Sequence, residues 1–229
     1  PGANGNYRAL LAAYLLLAGQ PEAAKLVARK ARHRVLIDGI GALAPYFSGN
    51  FRLFGMASTL LDHALDQARL AGLVLEFGVR RGTSLRQIAR KAGQTVHGFD
   101  SFEGLPESWG NNPAGLLSTG ALLPQVPSNA RLHPGWFEDT LPSFLAAHPG
   151  PVRFVNIDSD LYSSARTVLF ALAPRLVPGS IVLFDELIGN PTWRDDEHKA
   201  LMEAKEAFGL RFEIFALAPA TKQAGLRIL

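Results

Sequence analysis

The chain has 229 residues, 48% of them hydrophobic and 19% charged, a balance that can bury a core and excludes a disordered chain. Its net charge is only +3, with Lys and Arg scattered along the sequence, so no nucleic-acid partner is expected. It holds no cysteine, which excludes a disulfide scaffold, a thiolate zinc site and a cysteine nucleophile, and suits a reducing cytoplasm.

Tyr7 to Arg34 reads as two helices joined at Gly19-Gln20-Pro21, with Leu10, Tyr14 and Leu17 as one apolar stripe and Ala23, Ala24, Val27 and Ala31 as another. The apolar run Ala9 to Ala18 is too short to span a bilayer and has neither the basic flank nor the cleavage site of a signal peptide, so no membrane partner is expected. Five basic residues and one histidine fall between Lys25 and Arg34, and they are read as a solvated helix face. The order Tyr7, Leu10, Tyr14, Ala18, Ala23, Val27 resembles one tetratricopeptide-type hairpin. A single repeat cannot bury its own face, so these helices are read as a cap on the main domain. Ile37 to Asn50, rich in Gly, Pro and Ser, is expected as a connecting segment. Phe54 to Ala71 has helical periodicity through Met56, Leu60, Leu61, Ala64, Leu65 and Ala68.

From residue 73 strands and helices alternate. Strands are expected at 73–77, 95–99, 130–133, 152–157, 180–184, 211–216 and 225–229, and helices at 83–92, 140–148, 163–176 and 195–208. This alternation implies a parallel sheet with right-handed crossovers. The last two strands leave no room for a helix between them, so the sheet is expected to close with an antiparallel strand.

The first of these strands runs into Leu75-Glu76-Phe77-Gly78-Val79-Arg80-Arg81-Gly82-Thr83-Ser84. Gly78 permits a sharp turn. Gly82 would let an anionic group approach the free N–H groups of the following helix, where Ser84 adds a hydroxyl. The spacing Gly-x-x-x-Gly is not the dinucleotide fingerprint Gly-x-Gly-x-x-Gly. The second strand ends in Gly98-Phe99-Asp100-Ser101-Phe102-Glu103-Gly104, and an acidic residue at that tip can accept hydrogen bonds from both hydroxyls of a ribose.

These two runs, followed in order by Gly-Trp-Phe-Glu-Asp-Thr-Leu, Asn-Ile-Asp-Ser-Asp-Leu-Tyr-Ser-Ser and Pro-Gly-Ser-Ile-Val-Leu-Phe-Asp-Glu, resemble class I S-adenosylmethionine-dependent methyltransferases, in particular the macrocin O-methyltransferase group. The resemblance runs from Leu53 to the end of the chain. It implies a Rossmann-like α/β methyltransferase fold with a mostly parallel seven-stranded sheet, a C-terminal antiparallel strand and preceding N-terminal helices. Residues 1–52 would be a helical segment and linker, and residues 53–229 the S-adenosylmethionine-binding domain. Glu76, Gly78 and Ser84 would surround the methionine part of the cofactor. Asp100 would hold the ribose, with Ser101 and Phe102 beside the adenosine and Trp136 and Phe137 closing the adenine pocket. Asp158 would face the reaction centre. Arg80 departs from the resemblance, since relatives often carry an aromatic residue there. A small-molecule acceptor, such as a natural-product sugar, is implied, and proteins of this group often self-associate.

Asp158 and Asp160 end the strand 152–157, and Asp185 and Glu186 follow the strand 180–184. Four carboxylates brought together repel, so a cation or a proton must compensate them. An all-oxygen set suits Mg²⁺ or Ca²⁺, and the resemblance implies Mg²⁺ held by Asp158, Asp185 and Glu186. The competing role for Asp160 and Ser163 is helix capping. Asp158 and His198 are the two candidates for the general base that deprotonates an acceptor hydroxyl. Trp193, close to His198, reads equally well as a substrate wall or a core anchor. The long loop from Glu103 to Pro127 and the helices before residue 73 are expected to form a lid, with mobility at 111–115. Two other readings compete: an NAD(P)-dependent Rossmann oxidoreductase, which the glycine spacing and the terminal strand pair disfavour, and a non-catalytic interaction protein docking through the N-terminal hairpin.

Overall fold

The computed structural model describes residues 3–229. Three helices open the chain: α1 (Ala3–Leu17), α2 (Pro21–Val27) and α3 (Ala31–Leu43). Strand β1 (Phe47–Leu53) and helix α4 (Ala57–Gln67) lead into the alternating part. That part runs β2 (Leu73–Phe77), α5 (Thr83–Ala92), β3 (Val96–Asp100), β4 (Ala130–Pro134), α6 (Phe137–Ala147), β5 (Val152–Ile157), α7 (Tyr162–Leu172), β6 (Ile181–Phe184), α8 (Glu197–Phe208), β7 (Phe212–Ala218) and β8 (Gln223–Ile228).

The seven expected strands are all present, within a residue or two of their expected ends. Among the described residues they form one eight-stranded sheet in the order β1-β7-β8-β6-β5-β2-β3-β4. All pairings are parallel except those of β8, which runs antiparallel to β6 and β7 as the short β7–β8 connection requires. The eighth strand is β1, placed where a connecting segment was expected. Its side chains are half-buried or exposed, as befits a sheet edge, so it carries no apolar run to announce it.

The Gly-rich sequence before β1 is a helix for a packing reason. A Cβ on Gly39 would lie 2.7 Å from Ile188 Cβ, so glycine lets α3 approach the chain that follows β6. Leu36, Ile40 and Leu43 on the same helix are buried in the main core. The division expected after residue 52 therefore falls inside a strand of the sheet, and α3 shares its core with β5 and β6. The two helices expected over 7–34 are three. The chain breaks at 28–30, where the Arg34 guanidinium donates to the Ala28 carbonyl, 3.1 Å away. Lys25, Arg29, Lys30 and Arg34 are exposed, while His33 is buried.

Two apolar layers flank the sheet. One joins α3, α6, α7 and α8; the other joins α4 and α5. Helix α5 shows how local sequence sets an element. Leu85, Ile88, Ala89 and Ala92 form one buried face, and Gly82 and Gly93 bracket the helix in the left-handed conformation. No helix among the described residues is long and apolar enough to cross a membrane. Strands β3 and β4 are added on one side of β2 and strands β5 and β6 on the other, so the strand order switches between the parallel neighbours β2 and β5 and a crevice opens above their C-terminal ends, where open α/β sheets place their ligands.

Candidate active site

At that crevice β2 and β5 end side by side. The Asp158 N–H donates to the Phe77 carbonyl (2.8 Å), and the Gly78 N–H donates to the Phe99 carbonyl (2.9 Å). Gly78 has φ 95°, and a Cβ there would sit 1.7 Å from the Asp158 carbonyl oxygen, so no other residue can make this turn without parting the strands. Beyond it lies a cleft of about 690 Å³, within the usual range for small-molecule sites. Its lining includes Gly78, Asp100, Ser101, Trp136, Phe137, Asp158, Asp160, Asp185 and Glu186.

Asp100, at the tip of β3, is held by the backbone. The Arg80 N–H donates to Oδ2 (2.7 Å) and the Phe102 N–H to Oδ1 (2.6 Å). Both donors come from residues with positive φ, 48° and 61°. The turn thus uses the main chain of Arg80, which explains why its side chain can depart from an aromatic. Each carboxylate oxygen keeps a lone pair for a further donor. Trp136 and Phe137 form the wall beside Asp100, with Phe137 edge-on to Phe77 at 5.3 Å.

Other expected residues lie outside the lining. Glu76 is fully buried behind the turn and accepts a bond from Asn156 Nδ2 (3.0 Å). Burial pushes its carboxyl up to about 7, against the neighbouring Ser84 and Asn156 side chains that hold it down. Ser84 also lies outside the lining. Gly82 is covered by the lid loop, since a Cβ there would lie 3.4 Å from Pro124 Cβ. Phe102 is buried in the core beneath that loop. His198 stands edge-on against Trp193 at 4.7 Å, with its pKa lowered by burial, and does not reach the cleft. Trp193 is itself 2% exposed, so it is a core anchor.

The carboxylates do converge. Burial raises Asp158 well above the ordinary aspartate value, and Asp185, Asp160, Glu76 and Glu197 raise it further. Asp160 is pushed to about 6 by burial, Glu186 and Asp185, with Lys222 opposing. Two members escaped the sequence reading. Glu197, at the start of α8, is buried and accepts the Ser159 N–H (3.3 Å), steadying the loop that carries Asp158. Lys222, in the turn between β7 and β8, donates to Glu186 Oε1 (2.9 Å). In sequence Glu197 looks like a helix-start charge and Lys222 like a turn residue, and neither belongs to a motif.

The metal expectation does not fit this arrangement. Among the described residues no three His, Asp or Glu side chains are grouped to hold a metal ion. The Glu186 oxygens are engaged by Lys222 and by Asn190 Nδ2 (2.6 Å), and Asp185 Oδ1 accepts the Gln223 amide.

The loop over the cleft is hydrogen-bonded to itself. Gly115 N donates to Leu105 O (2.8 Å) and Leu105 N to Leu116 O (2.9 Å), and Trp109 and Asn112 pair across its tip. It contributes Gly104, Leu105, Pro106, Glu107 and Leu117 to the cleft, and Glu107 accepts the Ser163 hydroxyl of α7 at 2.5 Å. The N-terminal helices, expected to share this lid, contribute no residue to the lining; α3 instead buttresses Ile188 from behind.

Residues 75–187 match a family model described as a methyltransferase domain. The chain is 35% identical over 142 residues to the 8-demethyl-8-(2,3-dimethoxy-alpha-L-rhamnosyl)-tetracenomycin-C 4'-O-methyltransferase of Streptomyces olivaceus, covering 50% of this chain and 52% of that protein. It is 31% identical over 156 residues to the demethyldecarbamoylnovobiocin O-methyltransferase of Streptomyces niveus, covering 56% and 58%. The chain thus spans little more than half the length of these relatives. A crystal structure of the calicheamicin methyltransferase CalS11 superposes with a TM-score of 0.61 at 26% identity, covering 74% of this chain and 77% of that one.

Proposed function

We propose that the chain, whose residues 75–187 match a methyltransferase-domain model and whose fold superposes on that of a known methyltransferase, is an S-adenosylmethionine-dependent O-methyltransferase. Its acceptor is a hydroxyl on a small molecule, of the natural-product sugar type. The two curated relatives are named as O-methyltransferases of a rhamnosyl-tetracenomycin and of demethyldecarbamoylnovobiocin, which supports this class of acceptor. The observation that carries the reading is the cleft at the β2/β5 switch point, lined both by Asp100 at the tip of β3 and by Asp158 just past β5.

The residues fit the cofactor. Asp100 presents two prepared acceptor oxygens for adjacent ribose hydroxyls, and Trp136 and Phe137 offer an apolar wall for a purine. When bound, S-adenosylmethionine supplies a methyl group activated by its sulfonium. The chain supplies alignment and exclusion of water: Leu105, Pro106 and Leu117 cover the cleft from the loop side. Asp158 is the base. Its raised proton affinity, set by burial and by neighbouring carboxylates, suits it to take the acceptor's hydroxyl proton at its carboxylate. Lys222, Asn190 and Gln223 already hold Glu186 and one oxygen of Asp185, so none of these steps is routed through the Mg²⁺ that the resemblance implies. His198 has none either, being packed on Trp193.

The test is calorimetric titration of S-adenosylhomocysteine into the chain and into Asp100→Ala, with NAD⁺ as control. Binding that weakens roughly 100-fold in the variant is expected, since charged hydrogen bonds contribute about 1.5–3 kcal/mol each. Binding of NAD⁺ in place of S-adenosylhomocysteine would overturn the reading.

A further inference from the structure

We propose that Lys222 is a built-in cation that replaces a divalent metal at the Asp185–Glu186 pair, so that the cleft takes its ligands without one. This rests on the methyltransferase reading for what the cleft binds, but not for the ion itself. Two adjacent carboxylates at the acceptor end need compensation, and one turn supplies it from consecutive residues. Lys222 donates to Glu186 (2.9 Å) and also to Asn190 Oδ1, and Gln223 donates to Asp185. Asn190 in turn donates to the second oxygen of Glu186 (2.6 Å), so Lys222, Asn190 and Glu186 close a ring.

The backbone is shaped to hold the ammonium there. Lys222 has φ 65°, left-handed and unusual for a lysine. Its stem lies on Gly189, itself at φ 90°, where a Cβ would come within 3.0 Å of Lys222 Cγ. Any larger residue at 189 would push the lysine away. A divalent ion such as Mg²⁺ keeps several waters and takes one or two carboxylates from the protein, and here those carboxylates are Asp185 and Glu186. The ammonium of Lys222 on one oxygen of Glu186 and the Asn190 amide on the other already supply compensation, and the ammonium repels a second cation at a few ångströms. Lys222 is therefore a positioning residue: it fixes Glu186 at the cleft wall.

The experiment is Mn²⁺ titration of the full chain by electron paramagnetic resonance, beside calorimetry of S-adenosylhomocysteine in EDTA and in Mg²⁺. The unmodified chain is expected to bind no Mn²⁺ at the cleft and to hold S-adenosylhomocysteine equally in both buffers. Lys222→Met keeps the aliphatic stem and removes the charge; it is expected to gain one Mn²⁺ site, lost again when Glu186→Gln is added. Mn²⁺ binding by the unmodified chain that Glu186→Gln abolishes overturns the proposal, as does a drop of roughly tenfold or more in S-adenosylhomocysteine affinity on adding EDTA. A folded Lys222→Met protein that gains no Mn²⁺ site overturns it too. Should Lys222→Met not fold, the unmodified chain decides alone. Failure of S-adenosylhomocysteine to bind in either buffer counts against the methyltransferase reading, while the Mn²⁺ results still judge the lysine.

Discussion

Glu76 stands one residue from the end of β2, fully buried, and its chemistry shows what a single position can reveal. Its folded pKa of about 7 lies above the ordinary 4.5, so the folded state favours the protonated form. The stability this group contributes is full below 4.5 and is lost as the pH rises through 7. Glu76→Gln removes that slope. Between pH 5 and pH 8 the unmodified chain is expected to lose about 2.5 kcal/mol more than the variant, read from urea unfolding; equal slopes would show that Glu76 is ionised throughout. The position was legible because an acidic residue inside an apolar strand is conspicuous. Its burial was not, because sequence shows the strand but not what covers it. Asp100 and Asp158 were legible for the same reason, each following an apolar run at a strand tip. Lys222 and Glu197 were hidden, because polar residues in turns and helix starts are ordinary surface chemistry until the fold brings them to a cleft.

Elements announced themselves in proportion to how much apolar surface they bury. Strands β2, β5 and β6 are buried almost throughout and were placed to within a residue. Strand β1 buries little and was missed, and α3 was obscured by Gly39, whose role is close approach to Ile188. The junction of β3, β4 and α6 holds a cluster of a different kind. His97 Nδ1 lies 3.0 Å from His133 Nε2, and Phe144 packs against both rings. Burial lowers His97 from 6.5 to about 4 and lowers His133 as well. A histidine kept neutral in this way adds stability that is full above 6.5 and is lost as the pH falls through 4. The urea midpoint is therefore expected to drop between pH 7 and pH 4.5, and to drop less in His97→Phe, which keeps an aromatic ring against Phe144. The same drop in both proteins would place the acid sensitivity elsewhere.

The whole molecule poses the question that sequence patterns answered least well, namely where the folding unit that carries the cleft begins. The resemblance starts at Leu53 and the family match at residue 75, which invites treating the first 52 residues as an appendage. The sheet says otherwise. Its edge strand β1 pairs with β7, and Leu36, Ile40 and Leu43 of α3 sit in the same core as β5 and β6. Removing three buried aliphatic side chains withdraws about 1.5–3 kcal/mol each, roughly 5–9 kcal/mol together. Whole domains of this kind are stable by about 5–15 kcal/mol, so the loss approaches the total. It would also leave Ile188 bare, three residues from Asp185, so the damage would fall on the carboxylate-bearing wall of the cleft. A fragment of residues 53–229 is accordingly expected to lack a cooperative thermal transition and to bind no S-adenosylhomocysteine, whereas the full chain melts in one transition. A fragment that melts sharply and binds would show that the helices are an appendage after all. Two separate transitions in the full chain would show the same, because a segment sharing its core with the sheet cannot unfold before it.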